Sequence, residues 1–330
     1  MDQSRGKRRR VLLAALIAVV ALPMSVQLLA QDAAYPAKPI TLLVAWPPGS
    51  LGDLLPRLMA QPLAKKLGVR VTVVNKPGGG AIPGTLEAVS APADGYTIFM
   101  ESPATSSIQM AWVENLPYKV DQRTFIARAA IAPNAIVVRA DAPWKTIDDI
   151  KAAIQKDPSA FRWAIAGGTG SGDVTRAQLQ AAFAAKGVDI SKTKMVSFNG
   201  AAEVMNALAG GHIDIATSSL GVALPLAESG KAKIIALTEA NSHYPQYPTT
   251  AAQGYPTVNH SFWMGYAGPP GMPPAAVKAL TAAMHDVLDE PDVKDKIYKL
   301  AAVPAFMPQP EFGKFILGEA TQIKALELKK

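Results

Sequence analysis

From Ile40 onward, short apolar runs rich in β-branched residues alternate with amphipathic stretches of helical period, which confines the chain to an α/β architecture built on mainly parallel strands. The spacing predicts strands over 40–45, 69–74, 96–100, 135–138, 162–165, 194–198, 213–216 and 233–238. Helices are expected over 54–67, 147–155, 174–185 and 201–208, with Thr146 and Asp149 placed as a capping box. After residue 240 the pattern changes. Pro273 and Pro274 open a predicted helix to about residue 288 and Pro310 another to about 326, so the C-terminal section reads as helical. No internal repeat or low-complexity linker divides the 330 residues, although the length suits two domains.

The composition removes several function classes. Cysteine is absent, which excludes disulfides, Cys-ligated metals and a catalytic thiol. The net charge of +7 suggests a nucleic-acid binder until its distribution is read. Arg5, Lys7, Arg8, Arg9 and Arg10 face only Asp2 in the first thirty residues, so more than half of the excess lies there. These cations precede a twelve-residue apolar run, 11–22, and a small-residue end at Ala30: the pattern of a signal peptide over 1–30. The run is shorter than the roughly 20 residues that span a bilayer. Arg9 and Arg10 also satisfy a loose twin-arginine pattern, and either route makes the mature chain periplasmic.

Two strand-to-helix loops could carry chemistry. WPPGSLGD, from Trp46 to Asp53, and GGTGSGD, from Gly167 to Asp173, each place glycines and a hydroxyl before a helix, where unpaired amides and the helix dipole attract anions. The alternative for the first is a capped turn in which Asp53 satisfies its own helix. A third loop, FNGAAE from Phe198 to Glu203, has the same form, and three such helix starts suit a carboxylate. The second loop has neither dinucleotide spacing nor the lysine of a phosphate loop. Trp46 reads equally as a stacking residue or a core residue, and Trp263 as structural. His212, His243, His260 and His285 are dispersed, without metal-ligand spacing, and no GxSxG nucleophile elbow occurs. No metal or cofactor is expected.

These residues together resemble the solute-binding receptors of tripartite tricarboxylate transporters, the Bug receptors. The carrying motifs are YPAKPI at Tyr35, WPPGSLGD at Trp46, NKPGGG at Asn75, APADGYT at Ala91, LPY at Leu116, PNAIVV at Pro133, the glycine loop at Gly167, GGHID at Gly210 and GPPGMPP at Gly268. Each is weak alone; nine in family order, from 35 to about 315, are specific. The resemblance implies a type II-like periplasmic binding protein fold with two lobes, 31–134 plus 240–330 and 135–239. Each lobe would be a mainly parallel sheet flanked by helices, with the cleft between them. It implies a binder rather than an enzyme, monomeric, which closes on a small organic carboxylate and delivers it to a transmembrane permease. A periplasmic sensor and a carboxylate-acting enzyme are the alternatives.

Carried over by position, the ligand contacts are Trp46, Pro48, Gly49, Ser50, Leu51 and Asp53 in the first loop, and Thr169, Gly170, Ser171 and Asp173 in the second. Ser102, Phe198, Asn199, Gly200 and Ser218 complete the set. The chain departs from the family pattern at the pocket mouth. The family usually has PGGGTD in the first loop, where Ser50, Leu51 and Gly52 stand here, adding bulk and removing the Thr hydroxyl; Trp46 replaces the commoner Phe, Ile82 a frequent Asn, and Ser218 a frequent Asp. Loss of that acid favours a ligand with carboxylates and an apolar or aromatic body over an amino acid.

Overall fold

The computed structural model describes residues 35–326 except Gly167, Thr169 and Asn199, so the expected signal peptide lies outside the described residues. From Lys38 onward the chain forms one compact unit holding two sheets. The first six elements are β1 (Ile40–Val44), α1 (Leu51–Leu67), β2 (Val71–Asn75), α2 (Ile82–Val89), β3 (Thr97–Glu101) and α3 (Ser107–Trp112). β4 (Thr124–Ala132) then leads directly into β5 (Asn134–Arg139), which opens the second sheet. There follow α4 (Ile147–Lys156), β6 (Arg162–Ala166), α5 (Ser171–Ala185), β7 (Lys194–Phe198), α6 (Ala201–Ala209), β8 (Ile215–Ser219), α7 (Leu220–Glu228) and β9 (Ala232–Leu237). The chain returns through β10 (Phe262–Gly268) and ends with α8 (Pro274–Asp289), α9 (Pro291–Lys299), β11 (Val303–Pro308) and α10 (Glu311–Lys324). The sheet orders are β11-β4-β10-β3-β1-β2 and β7-β6-β8-β5-β9.

The α/β architecture matches the sequence reading, but the sheets are mixed rather than mainly parallel. β1 pairs in parallel with β2 and β3, and β6 with β7 and β8. The pairs β10–β3, β10–β4, β11–β4, β5–β8 and β5–β9 are antiparallel. The crossings between sheets impose this. β4 runs toward the edge where the chain leaves the first sheet, so β5 must start at that edge and run away from it, opposite to β6 and β8. β10, on its return, starts at the same edge and runs opposite to β3.

The second sheet is buried on both faces. Ile136 and Val138 of β5 pack with Trp163, Leu179 and Phe183 on one side, while Ala135 and Val137 pack with Val204, Leu208 and Ala216 on the other. A strand covered twice reads as an unbroken apolar run, which is why 135–138 was legible. In the first sheet Leu43, Phe99, Phe125 and Phe312 surround Trp263, which is fully buried and structural as expected. The C-terminal section is not all helix: it contributes β10 and β11 to the first sheet. β11 carries Pro304 and Pro308 and lies at the sheet edge, where a missing backbone donor is tolerated.

Candidate functional site

Strand direction gathers the expected residues. β1 and β3 in one sheet, and β6, β7 and β8 in the other, all deliver their carboxyl ends to the edge where β4 passes into β5. The loops that begin at Trp46, Ser102, Ala166 and Phe198, and the end of β8 at Ser218, therefore leave their sheets on the side of the β4–β5 crossing. Ligands of open α/β sheets bind at such carboxyl edges.

After β1, Ser50 sits at the N-cap of α1, but its hydroxyl donates to Pro47 O at 2.7 Å instead of capping the helix. Asp53 does the bracing. Its buried carboxylate accepts from Gly49 N at 2.8 Å, Arg57 Nε at 2.9 Å and Asn75 Nδ2 at 2.7 Å. Asn75 also donates to Trp46 O at 3.0 Å, tying the end of β2 to the same loop. Burial works to raise the Asp53 pKa, but the hydrogen bonds from Arg57, Asn75 and Gly49, with the Arg57 charge, outweigh it and hold the carboxyl below its ordinary range. Leu51 and Gly52 follow as the first helical residues, whose amides have no intrahelical acceptor. Gly52 is fixed by contact: a Cβ there would stand 2.5 Å from Cδ1 of Trp46. The indole thus lies across the helix start, half-buried, and its Nε1 has no partner among the described residues.

The loop after β6 repeats the plan. Asp173 accepts from Ala166 N at 2.9 Å and Gly170 N at 3.0 Å, and α5 begins at Ser171 and Gly172. Here burial dominates and pushes the Asp173 pKa up, only partly offset by the amides of Ala166, Gly170 and Gly168 and by the charge of Arg176. Gly172 meets the neighbouring strand: a Cβ would stand 2.2 Å from Thr217 O of β8, whose hydroxyl in turn donates to Gly172 O at 2.7 Å. The α5 start is also anchored by Asn134, the first residue of β5. Its Nδ2 donates to Ser171 Oγ and Thr175 Oγ1, both at 2.8 Å, and to His260 O at 3.1 Å.

Two buried acceptors in this region are unsatisfied among the described residues. They are Asn134 Oδ1 and Ser218 Oγ, whose residues pair across β5 and β8 within one step of register. Buried polar atoms without partners mark places where a ligand or water completes the structure. Ser218 also lies against the α5 start, its Cα 3.6 Å from the Cβ position of Gly172.

The remaining expected residues divide. Pro48 and Gly49 are exposed at the loop tip; Leu51, Gly170, Phe198 and Gly200 are half-buried; Thr169 and Asn199 lie outside the described residues. Asp53 and Asp173 spend their carboxylates on the loops themselves. Ser102 is fully buried, its amide bonded to Thr105 Oγ1 at 2.9 Å, beside the buried Glu101–Arg123 ion pair. Arg57, Asn75 and Asn134 were absent from the expected set. Their signal is an arginine one turn after a loop aspartate, and asparagines at the end of one strand and the start of another. Among the described residues no acid or histidine cluster could hold a metal ion, and no helix is long and apolar enough to cross a membrane.

A model of the tripartite tricarboxylate transporter family receptor matches residues 55–329. The chain is 28% identical over 304 residues to a UPF0065 protein from the tcbD-tcbE intergenic region of a Pseudomonas species, covering 91% of this chain and 87% of that one. Among solved structures, a TctC solute-binding protein from Polaromonas aligns with a TM-score of 0.72 and 28% identity over 88% of this chain and 98% of its own. MatC from Rhodopseudomonas palustris, solved with bound malate, aligns with a TM-score of 0.73 and 24% identity over 88% and 99%, a likeness of fold.

Proposed function

Because this chain belongs to the tripartite tricarboxylate transporter receptor family, we propose that it is a periplasmic receptor for a small organic dicarboxylate, held where the two sheets present their strand ends to each other. The observation that carries the reading is the pair of aspartate-braced helix starts on one edge. Each brace uses up its own carboxylate and leaves the first-turn amides of Leu51 and Gly52, and of Ser171 and Gly172, without intrahelical acceptors. One ligand carboxylate on each set accounts for a two-headed solute, and malate in a protein of like fold is such a solute. Trp46 and Phe198 would flank its carbon chain, with Ser218 and Asn134 taking the remaining polar atoms.

In this reading 31–134 plus 240–330 and 135–239 are the two lobes. A ligand that touches both stabilises only their closed arrangement, and a membrane permease distinguishes closed from open. The protein is exported through 1–30, acts as a monomer and performs no chemistry on its ligand. Charge-assisted hydrogen bonds of roughly 1.5–3 kcal/mol each make micromolar affinity, about 8 kcal/mol, attainable.

Ser218→Ala tests this directly. The hydroxyl has no partner among the described residues, so its removal should leave the melting temperature unchanged while weakening calorimetric binding of malate or adipate by about tenfold. Equal affinity in the variant would remove Ser218 from the site. Failure of the parent protein to bind any aliphatic or aromatic dicarboxylate would sink the ligand class.

A further inference from the structure

A second arginine stands in circumstances unlike the rest. Arg176 of α5 is 5% exposed, yet among the described residues its guanidinium makes one hydrogen bond, from Nη1 to Gln180 Oε1 at 2.6 Å. Its Nε is buried without a partner, and no carboxylate lies within 4.0 Å of it among the described residues. The charge that acts on it is that of Asp173, whose oxygens are committed to Ala166 N and Gly170 N. A cation removed from water without a counter-ion is costly, and the cost falls when an anion is supplied.

The guanidinium opens on a groove of about 780 Å³ between α5, β7 and the chain that follows α10. Ala181, Val188, Ile190 and Leu326 give it an apolar wall with Met195, a large apolar side chain left exposed, while Asp189, Ser191 and Thr193 line its rim. Gln180 completes the polar end, since among the described residues its Nε2 has only Met195 Sδ, at a distant 3.9 Å, and the amide is available to a better acceptor. The groove is separate from the strand-end edge. Met195 pairs with Trp163 near the start of β6 and β7, whereas the glycine loops leave from their ends at Ala166 and Phe198.

We propose that this groove binds an amphipathic monoanion, with a carboxylate head on Arg176 and Gln180 and a short aliphatic tail along Ala181, Val188, Ile190 and Met195. The polar end matches a single planar anion because the guanidinium and the amide present adjacent donors to it. The tail gains by covering Met195 and the alanine face of α5. This site is independent of the dicarboxylate reading.

Calorimetric titration of the purified protein with octanoate tests it, with octanol and octyltrimethylammonium as neutral and cationic counterparts. Octanoate should bind and the other two should not. Arg176→Met should weaken octanoate at least tenfold while leaving the ligand-free melting temperature equal or higher, because it deletes an uncompensated buried charge. Ala181→Trp, at an exposed position, keeps the arginine, fills the groove and should abolish binding. If Arg176→Met lowers the melting temperature, Ala181→Trp alone decides between the site and a structural arginine. Octanoate binding that survives Ala181→Trp, or that octanol reproduces, overturns the proposal.

Discussion

In the loop after β1, Asp53 holds Gly49 N at 2.8 Å and is itself held by Arg57 Nε at 2.9 Å, one helical turn on. In the loop after β6, Asp173 holds Ala166 N and Gly170 N at 2.9 and 3.0 Å, but Arg176, three residues on, turns away to Gln180. The bracing is the same and the electrostatics are opposite: the Asp53 carboxyl lies below its ordinary pKa range and that of Asp173 above it. Both carboxylates are buried, but the one hydrogen-bonded to a cation stabilises its loop as an ion, whereas the one hydrogen-bonded only to amides is under pressure to protonate. The difference also frees Arg176 for another anion and leaves Arg57 committed.

The largest separation between the loops should come from their helix-start glycines. At Gly172 a methyl group meets the backbone oxygen of Thr217 in β8, which is paired with Ile136 of β5 and cannot retreat without disturbing that ladder. At Gly52 it meets the indole of Trp46, which can swing. Gly172→Ala should cost about 3 kcal/mol and Gly52→Ala about 1 kcal/mol in urea denaturation. Equal costs would mean that the two loops are equally plastic.

Next in size is the response of the aspartates to pH. Asp53→Asn should cost about 2 kcal/mol at neutral pH, because a charged acceptor with three donors is lost. Asp173→Asn should cost about 1 kcal/mol or less. The sign of the pH dependence separates them further. With its folded pKa lowered, Asp53 contributes stability that is present above the unfolded value near 4 and lost as pH falls through the folded value, so the Asp53→Asn deficit should shrink in acid. With its folded pKa raised, Asp173 contributes stability that is full below about 4 and lost as pH rises through the folded value, so that deficit should shrink toward neutrality. Deficits that move in the same direction would break the comparison.

Both loops were legible because glycine, proline and hydroxyl residues at a strand exit have few other uses. What they do was less so. Asp53 and Asp173, named by the resemblance as ligand contacts, hold backbone amides of their own loops, which for Asp53 is the capped-turn alternative left open by the sequence. Several family motifs prove to be ties: Asp94 of APADGYT takes Tyr96 N and Lys38 Nζ, Asp214 of GGHID forks onto Arg162, and Asn134 of PNAIVV anchors α5. The Thr146–Asp149 capping box appeared as read, since a cap needs only three residues of context. β4, β10 and β11 escaped prediction for the opposite reason. Arg128 interrupts the first, glycines the second and prolines the third, and each is a strand only because non-local partners hold it.

The smallest effect converts one loop into the other. Arg57 is nearly half exposed, so solvent screens its pairing with Asp53, and Arg57→Gln should cost no more than about 1 kcal/mol. Its informative readout is the titration of the Asp53 carboxyl carbon by NMR. With the cation gone, burial is opposed only by Gly49 and Asn75, and the midpoint should climb toward or past the ordinary value near 4, as at Asp173. The acid limb of the stability curve would move up with it. If the midpoint stays low, the Gly49 and Asn75 hydrogen bonds suffice to hold the charge. The contrast between the loops would then lie in the Asn75 side-chain donor, which Asp173 lacks among the described residues, rather than in where each arginine points.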